Sequence, residues 1–263
     1  MLEKVEATRF DRVMTKGRTM PMLLAAEHND GRSAEVIGKF SYGDGIGAIG
    51  LAREAISAML AADLGLPVPN PLLVTISDAF IATVPSQGAA DLLRQSLRVG
   101  FGSSRLSDGY SVWLDGKKLS EQMLVQAAEI FAFDALIQNA DRRPTNPNLQ
   151  FKGEDVAIFD HDLAFVFEDV LFWKPPWEPG GLDNIAQPQQ HIFFTAIKGQ
   201  PLDFSRLIRA WTAISDDRLG QYQAALPAEW SDASDMIVKV LSFVRQLRDN
   251  IRPAMMEMQK VLT

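Results

Sequence analysis

Apolar and polar positions alternate along the first forty residues, and this period of two predicts strands over Val5 to Val13, Met20 to Ala26 and Ala34 to Phe40. The turn-forming runs Thr15-Lys-Gly17-Arg and Asn29-Asp-Gly31 separate them, so the three read as an antiparallel meander. The period then lengthens. Leu51, Ala55, Ala58, Met59 and Ala62 recur at helical spacing, and Gly65 with Pro67 and Pro69 supplies the stop. Leu72 to Ile76 and Phe80 to Val84 return to strand character on either side of Ser77-Asp78, closing a small lobe near Pro85. Between Gln87 and Gly116 glycines and serines dilute any period, which predicts a linker, a short helix and loops. Ser120 then stands as an N-cap, with Glu121 in the first turn and Leu124, Ala127, Ala128, Phe131 and Ala135 marking an amphipathic helix to about Gln138. Leu149 to Phe151 and Val156 to Phe159 flank the turn Lys152-Gly-Glu-Asp155 as a hairpin. Beyond Leu202 the period predicts helices at about 203–224 and 231–261, broken by Pro227.

These elements predict an α+β fold of two lobes around one site. Residues 1–86 form a small antiparallel-sheet N-lobe with one helix, and residues 87–263 form a mainly helical C-lobe. The 263 residues, 47% hydrophobic and 22% charged, can bury a sizeable core. With 26 basic and 33 acidic residues the net charge is -7, which argues against an extended nucleic-acid surface, so no direct nucleic-acid partner is expected. No stretch reaches the roughly 20 uninterrupted apolar residues of a membrane span. The opening Met-Leu-Glu-Lys-Val-Glu lacks a basic start followed by an apolar core, and a cytoplasmic location is the expectation. The absence of cysteine excludes disulfides and thiolate metal sites, while His28, His161 and His191 have no zinc spacing. Hard-metal chemistry on oxygen ligands remains.

That chemistry has candidates in Asn139-Ala-Asp141-Arg-Arg-Pro-Thr-Asn146-Pro-Asn148 and in the apolar run Val156-Ala-Ile-Phe159 that ends on Asp160. Magnesium-dependent transfer of a phosphoryl group from ATP needs an acid to orient a hydroxyl nucleophile, an amide oxygen for the metal, and a carboxylate that bridges metal and phosphates. Asp141, Asn146 and Asp160 supply these in order; the plain alternative is a loop rich in turn-forming residues. Lys39, at the end of the third strand, is placed to neutralise nucleotide phosphates, and Glu54 on the next helix to pair with it. Each has a plainer reading, as a strand lysine and as a solvated helix charge. Gly17 and Thr19 belong to the turn best placed to cover the phosphates with backbone amides, although a simple hairpin turn fits the same letters. Gly45-Ile-Gly47-Ala-Ile-Gly50 matches the dinucleotide fingerprint and alone would propose an NAD-dependent oxidoreductase. Ser41 to Asp44 separate it from the strand, however, and an antiparallel meander is the wrong context. A flexible connector that lets the following helix move explains it better. Asp162 competes with Asp160 as a metal ligand, His161 reads as a structural hydrogen-bonding residue, and Phe172-Trp-Lys-Pro-Pro-Trp177 as a loop with aromatic anchors.

With these residues in place, the chain from about Gly17 to Phe167 resembles the HipA-like kinases, a branch of the protein-kinase-like superfamily similar also to phosphatidylinositol kinases. The resemblance rests on Asp141 to Asn148 and Ile158-Phe-Asp160-His-Asp-Leu-Ala-Phe165, supported by Val36-Ile-Gly-Lys39-Phe40, Arg53-Glu54 and Leu66-Pro-Val-Pro69. It implies Asp141 as catalytic aspartate, Asn146 and Asp160 as Mg2+ ligands, Lys39 as the ATP lysine and Glu54 as its partner. It also implies a serine/threonine protein kinase with ATP and Mg2+ as cofactors, an unidentified protein or small-molecule acceptor and a regulatory protein partner. Kinases of small molecules or lipids, and a nucleotide-binding pseudokinase, share the same letters. The chain departs from the HipA toxin in having no evident extra N-terminal subdomain, no glycine-glycine-glutamine phosphate loop and no basic DNA-facing surface. The chemistry therefore carries over without the toxin's target.

Overall fold

Five strands build the N-terminal sheet: β1 (Glu3–Val13), β2 (Met22–His28), β3 (Ser33–Lys39), β4 (Pro71–Thr75) and β5 (Val99–Ser104). The structure, a computed structural model, describes residues 2–14, 19–42, 46–114, 116–167 and 171–263. The strands close into a barrel in the order β1-β2-β3-β5-β4. The sheet is mixed rather than antiparallel throughout, because Glu3 to Glu6 of β1 run parallel to Leu72 to Thr75 of β4. The chain reaches β4 through the crossover helix α1 (Gly47–Asp63), the kind of connection that parallel pairing requires.

Two sequence expectations give way here. Phe80 to Thr83 belong not to a strand but to helix α2 (Asp78–Thr83), with Val84 as its C-cap, started by Ser77, whose Oγ accepts from the Phe80 N–H at 3.2 Å. Capping chemistry outweighs the strand propensity of Phe-Ile. With α3 (Gln87–Arg94), capped by Ser86, α2 packs on the barrel core, so among the described residues three helices rather than one accompany the strands. The glycine-rich stretch expected as loop contains β5, which pairs with both β3 and β4 and carries the sheet past residue 86. Its glycines are needed there for space. A Cβ on Gly100 would lie 2.5 Å from the Lys39 carbonyl oxygen, and one on Gly102 would lie 2.4 Å from a Val74 methyl.

The rest of the chain is mainly helical. Helix α4 (Glu121–Leu136) is followed by the short strands β7 (Leu149–Lys152) and β8 (Asp155–Ile158), joined by β6 (Ser111–Val112) in a second sheet. The helices α5 (Phe194–Ile197), α6 (Ser205–Ala213), α7 (Asp216–Ala225), α8 (Ser234–Asp249) and α9 (Ile251–Leu262) complete it. Both long helices expected from the period are divided, the first at Ser215, whose Oγ caps α7 through the Arg218 N–H, and the second at Asn250. Helix α4 is buried on every face from Ala127 onward, so the amphipathic expectation holds only for its first turns. Among the described residues no helix is long and apolar enough to cross a membrane.

Helix α1 is buried from Gly50 to Ala61 except at Arg53, and it shares one hydrophobic core with α4 and the C-terminal helices. Polar ties hold its far end. Arg218 and the Tyr222 hydroxyl both donate to the Asp63 carboxylate, and Arg206 donates to the Leu64 carbonyl at 2.8 Å while pairing with Glu129. The helix that carries Glu54 is therefore tied at its far end to the helical half. Gly45 of the supposed connector lies outside the described residues. Strand β3 before it is antiparallel to both neighbours, so the glycine fingerprint has none of the parallel βαβ setting that dinucleotide binding uses.

Candidate active site

A cleft of about 750 Å³ opens between the barrel and the β7–β8 sheet, within the size range of small-molecule sites. Met14 and Pro21, on the β1–β2 hairpin, overhang it, and Leu23, Ile37, Phe101 and Leu149 give it apolar walls. Its polar floor holds Lys39, Glu54, Asn146, Asn148 and Asp160.

Lys39 reaches this floor because it closes β3 with its side chain on the barrel's outer face, under α1. Its Nζ donates to Glu54 Oε2 at 2.8 Å and to Asp160 Oδ1. Burial works against the ammonium, but Glu54, Asp160 and Asp162 together outweigh it, and the lysine pKa is raised well above its ordinary value. Glu54 is the reverse case: burial favours its neutral form, Lys39 and His161 overcome this, and its pKa lies far below the usual carboxylate range. Asp160 follows β8 with φ of 66°, a left-handed conformation that Asp tolerates better than most residues and that takes the chain out of the strand direction. Oxygens of Glu54, Asp160 and Asp162 all lie within 4.8 Å of one another. Burial first, then the charges of Asp160 and Glu54, against the opposing Lys39, raise the Asp162 carboxyl to about 7.

Asp141 sits in the loop after α4. Its Oδ2 accepts from Asn146 Nδ2 at 2.8 Å and from Asn148 Nδ2 at 3.0 Å, so both asparagines that line the cleft also hold the acid. Partial burial raises its pKa, the Asn148 hydrogen bond opposes that, and the nearby Asp160 charge adds to the rise. Asn148 is itself left-handed, with φ of 46°, and its carbonyl accepts from the Phe159 N–H at 3.1 Å, which sets the loop beside the end of β8.

Five residues singled out in the sequence thus converge on this floor: Lys39, Glu54, Asn146 and Asp160 line the cleft, and Asp141 is bonded to Asn146. Thr19 is a half-buried turn residue outside the cleft lining, and Gly17 lies outside the described residues. Sequence reasoning missed the support beneath the loop. The Asp134 carboxylate, wholly buried in α4, accepts from Arg142 Nε at 2.6 Å, from Asn139 Nδ2 at 2.7 Å and from His191 Nε2 at 3.1 Å. The signal was a lone acid inside the apolar run Phe131-Ala-Phe-Asp134-Ala-Leu136, with an arginine eight residues on. The loop with aromatic anchors packs Trp173 and Trp177 against Phe243 of α8, while Phe172 remains exposed.

Comparison with known proteins bears on the fold and the family. The crystal structure of the Helicobacter pylori proinflammatory kinase CtkA superposes with a TM-score of 0.53 at 12% sequence identity, covering 99% of each chain. That likeness is one of fold. A search among curated proteins gives no match. The sequence model of the HipA-like kinases matches residues 11–257, nearly the whole chain, and the protein accordingly belongs to the HipA-like kinase family.

Proposed function

We propose that this kinase transfers the γ-phosphoryl group of Mg-ATP to the hydroxyl of a serine or threonine in a protein acceptor. The observation that carries the reading is the Lys39 ammonium clasped between Glu54 and Asp160 on the floor of a cleft that Asn146 also lines. Four separate segments of the chain supply these groups and Asp141, and a structural ion pair would need only two of them.

The donor set suits a hard divalent cation. Asp160 uses Oδ1 on Lys39 and retains its other carboxylate oxygen, and Asn146 uses its Nδ2 on Asp141 and retains its amide oxygen. These two oxygens would hold Mg2+, whose charge would offset that of the phosphate groups. Lys39 anchors the phosphates and stays charged throughout, given the raised pKa. Asp141, its Oδ2 fixed by two amides, orients the acceptor hydroxyl and takes its proton as the oxygen bonds to phosphorus and ADP departs. A base positioned in this way contributes about 10²–10⁴ in rate. The serine or threonine acceptor rests on the likeness to the protein-kinase-like superfamily.

The test is a comparison of wild-type and Asp141→Asn protein with labelled ATP, magnesium and separate protein, lipid and small-molecule acceptors. Expected are magnesium-dependent ADP release and label on protein hydroxyls, with transfer by Asp141→Asn reduced by about 10²–10⁴ and nucleotide affinity kept. Wild-type protein that binds ATP without consuming it is a pseudokinase. Label found only on lipid or small molecules replaces the acceptor class, and an unimpaired Asp141→Asn variant removes the base.

A further inference from the structure

Beneath the cleft floor runs a line of buried polar groups that the transfer chemistry does not itself require. Arg142 follows Asp141 in the chain, yet its side chain is turned inward and wholly buried. Its Nη1 donates to two main-chain carbonyls, Asn148 and, at 3.3 Å, Phe159. Asn148 holds Asp141 through its side chain, and Phe159 immediately precedes Asp160. One guanidinium therefore spans the two backbone segments that present the proposed base and the proposed metal ligand. Its Nη2 lies 2.9 Å from His161 Nε2.

A guanidinium can only donate, so Nε2 of His161 is the acceptor and the ring proton of the neutral imidazole sits on Nδ1. That Nδ1 is buried without a hydrogen-bond partner and lies 3.9 Å from Glu54 Oε1. The backbone N–H of the same residue donates to Glu54 Oε2 at 2.8 Å, the oxygen that also receives Lys39. His161 thus hydrogen-bonds Glu54 through its backbone N–H and Arg142 through its ring. The path runs unbroken from Asp134 in α4 through Arg142 and His161 to the Lys39–Glu54 pair.

We propose that Arg142 and His161 act as a pair of positioning residues, setting the Lys39–Glu54 pair and Asp160 in register with the Asp141 loop. The inference rests on the phosphotransfer reading above for its effect on rate. Its physical ground is that reacting groups carried on separate elements must hold their geometry closely, since a displacement of about 1 Å can cost 10²-fold in rate. A buried hydrogen-bonded network is directional, and when fully satisfied it rigidifies the elements it joins.

Two measurements test the pair. Long-range nitrogen–proton NMR of histidine-labelled protein reads the tautomer without any turnover: His161 should carry its proton on Nδ1, and Arg142→Lys should lose that preference. An Nε2-protonated ring in the wild type overturns the proposal. Single-turnover transfer at saturating Mg-ATP is the second. His161→Phe, which keeps a ring but neither nitrogen, should transfer about 10–100-fold more slowly with nucleotide affinity within about threefold of wild type. His161→Gln, which restores an acceptor for Arg142, should regain most of the loss, and combining Arg142→Lys with His161→Phe should cost little beyond the larger single effect. A His161→Phe variant with wild-type rate, or fully additive losses, defeats the pair. A wild-type protein that turns over no ATP sinks the phosphotransfer reading instead, and the tautomer then decides the pair.

Discussion

Replacing Lys39 with methionine, which has similar length and no charge, leaves three carboxylates facing one another. The oxygens of Glu54, Asp160 and Asp162 lie within 4.8 Å, and at an effective dielectric of about 20 two unit charges that far apart repel by roughly 3–4 kcal/mol. Removing one partner of a buried ion pair costs about 3–5 kcal/mol, because the remaining charge is left buried and uncompensated. For a chain of this size that corresponds to a Tm lower by about 6–20 °C. The pH dependence is the sharper signature. In the wild type the Glu54 pKa is depressed, so its stabilisation is present above the ordinary carboxylate range and is lost as pH falls through the folded value. Without Lys39, burial and the two neighbouring acids all push Glu54 upward, so the variant is most stable at low pH and weakens as pH rises through the new folded value. Thermal unfolding of both proteins without nucleotide, followed by circular dichroism from about pH 5 to about pH 8, should show the gap widening with pH. A constant gap, or a variant as stable as the wild type, would refute the account of this cluster.

Two further outcomes follow from the same geometry. Gly100→Ala should destabilise the fold by about 1–3 kcal/mol in urea titration and also weaken nucleotide binding, since the new methyl meets the Lys39 carbonyl and the Phe40 ring; unchanged values for both would show that β5 shifts freely. Asn148→Gly, which suits the left-handed backbone there, removes a hydrogen bond that holds the Asp141 pKa down. Because a general base works only when unprotonated, the acid limb of the kcat/KM profile should move upward; a limb that stays put contradicts the role given to Asp141.

Three of the candidate residues were legible because they lie at or just past the end of an element that announces itself locally. Asp141 follows a helix with a serine cap, Asp160 ends an apolar run, and Lys39 ends an alternating strand. Helix boundaries at Ser77 and Ser86 were equally local, yet hydrophobic runs masked them. Strand β5 could not be read this way. Its glycines look like loop in isolation, and only the Lys39 carbonyl, Phe40, Val36 and Val74 pressing against them explain why no larger residue fits.

The sequence by itself determined the first three strands, α1, α4 and the β7–β8 hairpin, and the chemical types available: oxygen ligands, a lysine ending the third strand, no thiols. Those depend on capping, periodicity and composition, which act over a few residues. Only the tertiary structure decided that the barrel closes through a parallel β1–β4 pair, that α1 is bolted to the helical half, and that Arg142 turns inward to Asp134 while Asp141 beside it turns toward Asn146. Adjacent letters carry no information about which way each side chain faces. That choice is made by what is buried around them, and a charge with nowhere to meet water goes where its partner waits.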